Sequence, residues 1–519
     1  MPQIQAWAAQ FPQKAAYVFP QTGDQLTFDE LHQKSLQAAW WLIDQGLEPG
    51  DHIAVLMENH PALFEIAWGA VRAGLYFTVI STHLKPREVA YILENSECRL
   101  FIASDRYAET AQGARELVPD QSIACFSARG TGRLPWPDFH QAVQGTPPRN
   151  ELPERPAGRD LLYSSGTTGM PKGVSKPLTP IEERHLPDAE VAAWRRNYGF
   201  DEHAMYLSPA PLYHAAPLRY SMRVVEAGGT TVVLSRFDPH DALKAIEDYR
   251  ITHSQWVPTM FIRMLDLPEE ERRRYDVSSL KVAIHAAAPC PVHVKHRMIE
   301  WWGPIISEYY AGSEGVGITI IHSEDWLRKP GSVGRAVLGK LHILDDDGRE
   351  LPPGEVGMVY FSGGPRFEYY NEPEKTRSVY LTDDMATYGD LGYVDEDGFL
   401  FLSDRRTDLI ISGGVNIYPQ EIEDVLLRHD AVADCAVIGV PNAEFGEEVK
   451  ACVRLHPGYT PDAALEGELI AFCREHLSNV KCPRTVDFLE DLPRLENGKL
   501  PRRLLKDRYR EQAQKREEA

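Results

Sequence analysis

The chain is short of the features that mark several large classes of protein. Its seven cysteines, Cys98, Cys125, Cys290, Cys435, Cys452, Cys473 and Cys482, form no Cys-x-x-Cys pair and mostly stand within apolar runs. They read as packing thiols of a reducing compartment rather than as a disulfide framework or metal ligands. The longest apolar stretch, Phe64 to Ile80, is broken by Glu65 and Arg72, which argues against a membrane-crossing helix. The opening MPQIQAWAAQFPQK has no basic segment leading into an apolar one, so the expected location is the cytoplasm. Positive charge is also scarce. With 55 basic against 76 acidic residues and a net charge of -21, an extended surface for a nucleic-acid backbone is disfavoured. A small phosphate anion remains open, because loops and helix ends supply a local field. No solenoid repeat or low-complexity tract appears.

What is present suits a large enzyme. At 519 residues, 43% hydrophobic and 25% charged, the chain exceeds one core and predicts at least two domains. From Leu26, helix-period and strand-like segments alternate. A helix passes through Ala39 and Leu42, a strand covers His52 to Met57, a helix Ala62 to Arg72, and strands follow at Phe77 to Ile80 and Leu100 to Ala103. A second run repeats this from Thr230 to Tyr310, and such alternation predicts parallel sheets with crossover helices. After Gly331, turns at Asp347-Gly348, Pro353-Gly354 and Asp397-Gly398 predict short antiparallel or barrel-like strands. A smaller unit of strands and two helices follows Arg405, and the charged tail from Leu504 reads as a solvated helix.

The strongest local signal is Tyr163 followed by SSGTTGMPKG, directly after Leu161 and Leu162. Gly166 and Gly169 let backbone approach a phosphate, the hydroxyls of Ser164, Ser165, Thr167 and Thr168 donate to its oxygens, and Lys172 adds a positive charge. The loop is not a Walker A motif: Pro171 and Gly173 flank the lysine where that motif needs Gly and Ser or Thr. By composition alone it is a flexible turn, but it has company downstream. PAPLYHAAP spans Pro209 to Pro217, HAAAP spans His285 to Pro289, and EYYAGSEG runs from Glu308 to Gly315. GSVGRA, YGDLG and SDRRTDLIISGGVNIYPQEIE follow in turn, and PRLENGK comes last, at Pro493 to Lys499.

In this order the motifs make the chain resemble, over nearly its whole length, the adenylate-forming superfamily of acyl-CoA synthetases, peptide-synthetase adenylation domains and beetle luciferases. The resemblance implies an α/β fold. A large N-terminal domain, 1–403, would hold layered α/β subdomains and a small β-barrel, and a smaller α+β C-terminal domain, 404–519, would move about a hinge near 404–408. Thr407 stands there in place of the more common Asp or Lys. Nucleotide contacts are implied for the phosphate loop, for Ala287, Ala288 and Pro289, for Glu308, Tyr309, Tyr310 and Ala311, and for Asp390 and Arg405. Tyr310 would stack on adenine, and Asp390 would accept from the ribose hydroxyls. Ser313 would touch the α-phosphate, and Glu314, with Thr167, would hold Mg2+. Tyr213, His214, His285, Ala286 and Gly312 would line the acyl pocket, with His214 near the acyl carboxylate. Ser412, Gly413 and Gly414 would let the arm of coenzyme A pass. Lys499 would bridge the attacking carboxylate and the α-phosphate.

The implied function is an ATP-dependent ligase, an AMP-forming acid-thiol ligase. It would form an acyl-AMP and transfer the acyl group to coenzyme A, on a medium- or long-chain or bulky alicyclic acid. Passing the acyl group to an amine is the alternative within enzymes, and a degenerate nucleotide sensor is the alternative outside them. The expected partners are the acid, ATP and coenzyme A, and a homodimer stays open.

Overall fold

A computed structural model of the chain describes residues 2–118, 122–147, 149–164, 171–184, 186, 189–405, 408–412, 415–442, 445–495 and 500–517. These fall into two compact units. One comprises Met1–Trp256, Leu267–Ile284 and Arg366–Arg377, and the other Val257–Asp266, His285–Pro365 and Ser378–Ala519.

The first unit holds a five-stranded, wholly parallel sheet in the order Ala124–Ala128, Cys98–Ser104, His52–Leu56, Tyr76–Val79, Arg159–Asp160. All five residues of His52–Leu56 are buried, as expected of a parallel strand covered on both faces. Over it pack helices Phe28–Asp44 and Pro61–Ala73. Their close approach depends on Gly69, where a β-carbon would lie 2.8 Å from that of Ala38. The first helix starts at a capping box, Thr27 Oγ1 accepting from Glu30 N and Glu30 Oε2 from Thr27 N. The second stops at Gly74, whose left-handed φ of 79° suits glycine.

The second run of alternation also forms a sheet, with an addition that periodicity did not predict. Thr230–Val233 pairs in parallel with Met205–Ser208 and with Ala15–Phe19, and the latter forms an antiparallel pair with Asp24–Thr27. The chain's first strands thus join a sheet built some 200 residues later. Within 176–202, Ala189–Tyr198 is a helix, and Trp194 stacks on Tyr220 of helix Ala215–Glu226 at 3.9 Å between ring centres. That part of the segment is packed against the sheet's own helix layer.

In the second unit, Ile306–Tyr310 and Ile318–His322 form an antiparallel hairpin with Arg335–Leu338 alongside. The turn-rich region is antiparallel as predicted, ordered Lys340–Leu344, Gly357–Ser362, Met385–Val394, Tyr380–Thr382, with Leu400–Arg405 also on Met385–Val394. GSVGRA is a structural turn: Gly334 has a φ of 95°, donates to Ser332 Oγ at 3.0 Å and accepts from Leu400 N at 2.8 Å. Farther on, helices Pro419–Leu426 and Ala463–His476 bury Ile422, Leu426 and Leu469 with Ile410, Val437 and Ala451 of the neighbouring strands. The terminal helix, Arg502–Glu517, is not simply solvated. Leu505 and Tyr509 are buried with Ala436, Ile438 and Cys452, a two-residue apolar signal that the surrounding charges hid. All seven cysteines are free, five of them buried. No described helix is long and apolar enough to cross a membrane.

Candidate functional site

In the first unit the phosphate-loop motif is carried on a hairpin. Strand Leu162–Ser164 pairs antiparallel with Lys172–Ser175, Ser164 opposite Lys172, and Glu368–Tyr369 adds a third strand. The Lys172 ammonium lies 4.8 Å from the centre of the Tyr369 ring, a cation–π contact. At Gly173 a β-carbon would lie 2.9 Å from the Tyr163 ring, which is fixed in turn by its hydroxyl donating to Asn95 Oδ1 at 2.6 Å. Ser165, Gly166, Thr167, Thr168 and Gly169 lie outside the described residues, as does the Ser164 side chain.

Two anchors that the sequence reading missed brace this region. Asp160 begins the approach to the hairpin and is buried, and one of its oxygens accepts from Arg219 Nε at 3.0 Å and Nη2 at 2.7 Å. Burial alone would raise this carboxyl, but the Arg219 guanidinium, aided by Arg159, holds it well below the usual carboxylate range. Arg219 sits on helix Ala215–Glu226, whose N-cap is His214. The second anchor is Asn59. Its amide donates to the Ala210 and Leu234 carbonyls at 3.2 and 2.7 Å and its oxygen accepts from Leu212 N at 2.8 Å, which pins PAPLYHAAP. Tyr213 and His214 are half-buried, with ring centres 4.5 Å apart.

The second unit brings together another set. EYYAGSEG places Glu308, Tyr309 and Tyr310 on strand Ile306–Tyr310, and Ala311, Gly312, Ser313 and Glu314 in the turn that leads to Ile318–His322. Tyr310 Oη donates to Asp390 Oδ2 at 2.6 Å, so the residues implied for adenine and ribose are already joined. Asp390 lies on strand Met385–Val394, opposite the backbone of Arg405. The Tyr388 ring stands edge-on to Tyr310 at 5.6 Å, and its hydroxyl donates to Gly317 O at 2.8 Å. Gly312 is wedged between this ring and Glu314, since a β-carbon there would lie 2.5 Å from each.

HAAAP follows strand Val282–His285. Ala286 is buried, Ala288 half-buried, and Ala287 and Pro289 are exposed. Ala287 has a φ of 77°, a left-handed conformation that costs a residue with a β-carbon about 1–2 kcal/mol. His285 and Glu308 are both interior rather than on the surface of a cleft: His285 is fully buried, and the Glu308 carboxylate accepts from Lys295 Nζ at 2.6 Å. Ser412 is buried and its backbone pairs with Val415, while Gly413, Gly414, Thr407 and Lys499 lie outside the described residues, as does the Arg405 side chain.

No group of three or more His, Cys, Asp or Glu suited to a metal occurs among the described residues. Magnesium does not need one, since it is commonly held by one or two carboxylates together with substrate phosphates. The half-buried Glu314 on its turn fits that donor set.

The family model for AMP-binding enzymes matches residues 4–370, and that for the AMP-binding enzyme C-terminal domain matches 421–499. The chain belongs to the AMP-binding enzyme family. It is 33% identical to a feruloyl-CoA synthase of Amycolatopsis sp over 488 residues, covering 92% of this chain and 93% of that protein. It is 32% identical to a Rhodococcus jostii ligase named for joining CoA to a methyl-dioxo-octahydroindenyl propanoate, over 93% of each chain. Among solved structures it is similar to o-succinylbenzoate CoA synthetase of Bacillus subtilis in complex with its acyl-adenylate intermediate. There the TM-score is 0.81 at 27% identity, over 97% of this chain and 98% of that one. In this AMP-binding enzyme, Arg219, Asn59 and Lys295 are the braces that no motif announced. Each reads in sequence as an ordinary surface or capping residue; Asn59 and Lys295 are buried, and Arg219 is half-buried against Asp160.

Proposed function

We propose that this AMP-binding enzyme is an AMP-forming acid-thiol ligase that activates a medium- or long-chain or bulky alicyclic carboxylic acid and transfers it to coenzyme A. The observation that carries the reading is the Tyr310–Asp390 hydrogen bond beside the Gly312–Glu314 turn. It joins an aromatic ring to a carboxylate, with Glu314 on the same unit, and these groups suit an adenine ring, a ribose diol and a phosphate-bound cation. The ring of Tyr310 stacks on adenine, and Asp390 exchanges the tyrosine hydroxyl for the ribose hydroxyls, so its acceptor capacity is never left buried and unmet.

In the first half-reaction the substrate carboxylate attacks the α-phosphorus of ATP and pyrophosphate leaves, giving a mixed acyl–AMP anhydride. The Ser164–Lys172 loop grips the phosphates and steadies the departing pyrophosphate. Ser313 contacts the α-phosphate, and Lys499 orients the incoming carboxylate and offsets charge as it develops. Glu314 and Thr167 would hold Mg2+, which supplies charge neutralisation on phosphate oxygens. In the second half-reaction a thiol attacks the acyl carbon and AMP leaves, with Ser412, Gly413 and Gly414 lining the approach. The separate matches over 4–370 and 421–499 support two domains, which we read as 1–403 and 404–519 with a hinge near Thr407.

The Rhodococcus relative named for a bicyclic propanoate supports the bulky-acid reading. The test is a panel of fatty, aromatic and alicyclic acids scored by acid-dependent release of pyrophosphate and AMP, with coenzyme A and amines compared as acceptors. Turnover of alicyclic or longer-chain acids with coenzyme A is expected. Amide formation outrunning thioester formation would overturn the acceptor, and no acid-dependent pyrophosphate would overturn the activation itself.

A further inference from the structure

Three titratable side chains meet inside the second unit. Lys295 comes from helix Val292–Trp302, Glu308 from strand Ile306–Tyr310, and His285 from the end of strand Val282–His285. Lys295 and His285 are 0% exposed and Glu308 is 6% exposed. The Lys295 ammonium donates to Glu308 Oε2 at 2.6 Å, and His285 Nε2 lies 3.5 Å from the same oxygen. Neither ring nitrogen of His285 has a hydrogen-bond partner among the described residues. Trp326 covers the ammonium at 4.7 Å and the Phe261 ring packs against the imidazole.

A buried ion pair is a poor device for stability. Each ion loses much of its hydration, and well-packed apolar side chains of similar volume commonly do as well or better. Burial drives the His285 ring far below its ordinary range, with Lys295 adding to the effect, so the ring is neutral. It therefore leaves the Lys295–Glu308 charges balanced. What such a pair provides, and apolar contact does not, is a single permitted register. A slip of strand Ile306–Tyr310 by one residue would carry the carboxylate to the opposite face and leave the ammonium buried and unanswered.

The location of the cluster gives that rigidity a purpose. Ala286, Ala287, Ala288 and Pro289 follow directly after His285. Tyr310 stands two residues beyond Glu308, on the same face of its strand because side chains alternate. We propose that Lys295 and Glu308 are positioning residues for nucleotide binding, an interior brace that fixes the strand bearing Tyr310 and, through His285, the base of the 286–289 segment. The inference rests on the nucleotide-binding reading of Tyr310 and Asp390 and adds Lys295 to it.

The brace is tested by removing both charges together, in Lys295→Met/Glu308→Leu, so that no buried ion is left unpaired. ATP binding by calorimetry, KM and kcat for acid-dependent adenylation, and thermal melting are measured beside the wild type. The expected result is a melting temperature within a few degrees of wild type and a KM and Kd for ATP raised about tenfold. The KM for the acid should stay unchanged, and kcat should fall less than threefold. Lys295→Arg, which keeps a cation donating to Glu308, should retain most of the ATP affinity. An unchanged Kd for ATP in a folded double variant overturns the brace. So does a general loss of folding in both variants, which makes the pair a stability element. Failure of the wild type itself to bind ATP would instead sink the nucleotide reading.

Discussion

Gly312→Ala should disable adenylation at a modest cost to the fold, for reasons that can be followed atom by atom. The new methyl would lie 2.5 Å from Glu314 Oε2 and 2.5 Å from the Tyr388 ring, where carbon atoms normally stand about 3.5–4.0 Å from such neighbours. Both must retreat by about 1 Å. The Glu314 carboxylate ends a side chain and can rotate, but the Tyr388 hydroxyl both donates to Gly317 O and accepts from Gly317 N, and its ring abuts Tyr310. Forcing that ring back is overpacking, at about 1–3 kcal/mol. Displacement of a positioning group by about 1 Å can slow catalysis ~10²-fold, equivalent to about 2.7 kcal/mol of barrier. The assay is acid-dependent ATP–pyrophosphate exchange with Mg2+ titrated, beside a urea denaturation curve. We expect a hundredfold loss of exchange, a higher Mg2+ requirement and a destabilisation of about 1–3 kcal/mol. A wild-type exchange rate would refute the role of Glu314. An unchanged denaturation midpoint would show that the backbone at Gly312, and not Tyr388, had yielded.

Three further outcomes are expected. Arg219→Met strands the buried Asp160 carboxylate and should destabilise the chain by about 3–5 kcal/mol in denaturant titrations. Because the native pKa of Asp160 is depressed, the stability gap between wild type and variant should be full above the unfolded value of ~3.9 and shrink as pH falls below it; a gap that widens in acid would contradict the pairing. Ala287→Gly should relieve about 1–2 kcal/mol of left-handed strain, less about 0.5–1 kcal/mol for the freer unfolded chain, a net gain visible as a raised melting temperature; a lowered one would count against the strain. Lys499→Ala should slow acyl-AMP formation at least ~10²-fold while sparing thiolysis of supplied acyl-AMP, and normal adenylation would remove Lys499 from the mechanism.

The parts of the fold that were legible from residues alone are those whose pattern is local. The helix pattern through Ala39 and Leu42 and the apolar run at His52 needed only their own periodicity, and the observed bounds Phe28–Asp44 and His52–Leu56 follow. Ala15–Phe19 was missed because its partner, Thr230–Val233, is distant in sequence, and no periodicity encodes such a pairing. The same divide runs through the site. Tyr310, Asp390 and Glu314 could be placed because they stand in ordered motifs, and two of them meet across an interval of 80 residues. Lys295 could not, since a single lysine on an amphipathic helix normally faces water. Asn59, beside the start of a helix, looks like a cap, and its bonds to chain 151 to 175 residues away exist only in three dimensions.

The pairing of Ser164 with Lys172 also constrains how this loop can vary among descendants of the chain. Side chains alternate along a strand, so removing one residue between them obliges the hairpin to slip and points the ammonium to the opposite side of the ribbon. Substitution is far less disruptive, because it leaves the count between the two stems intact. Drift at this position is therefore expected to keep the loop's length for the sake of two backbone strands, a constraint separate from the residue types that a phosphate requires.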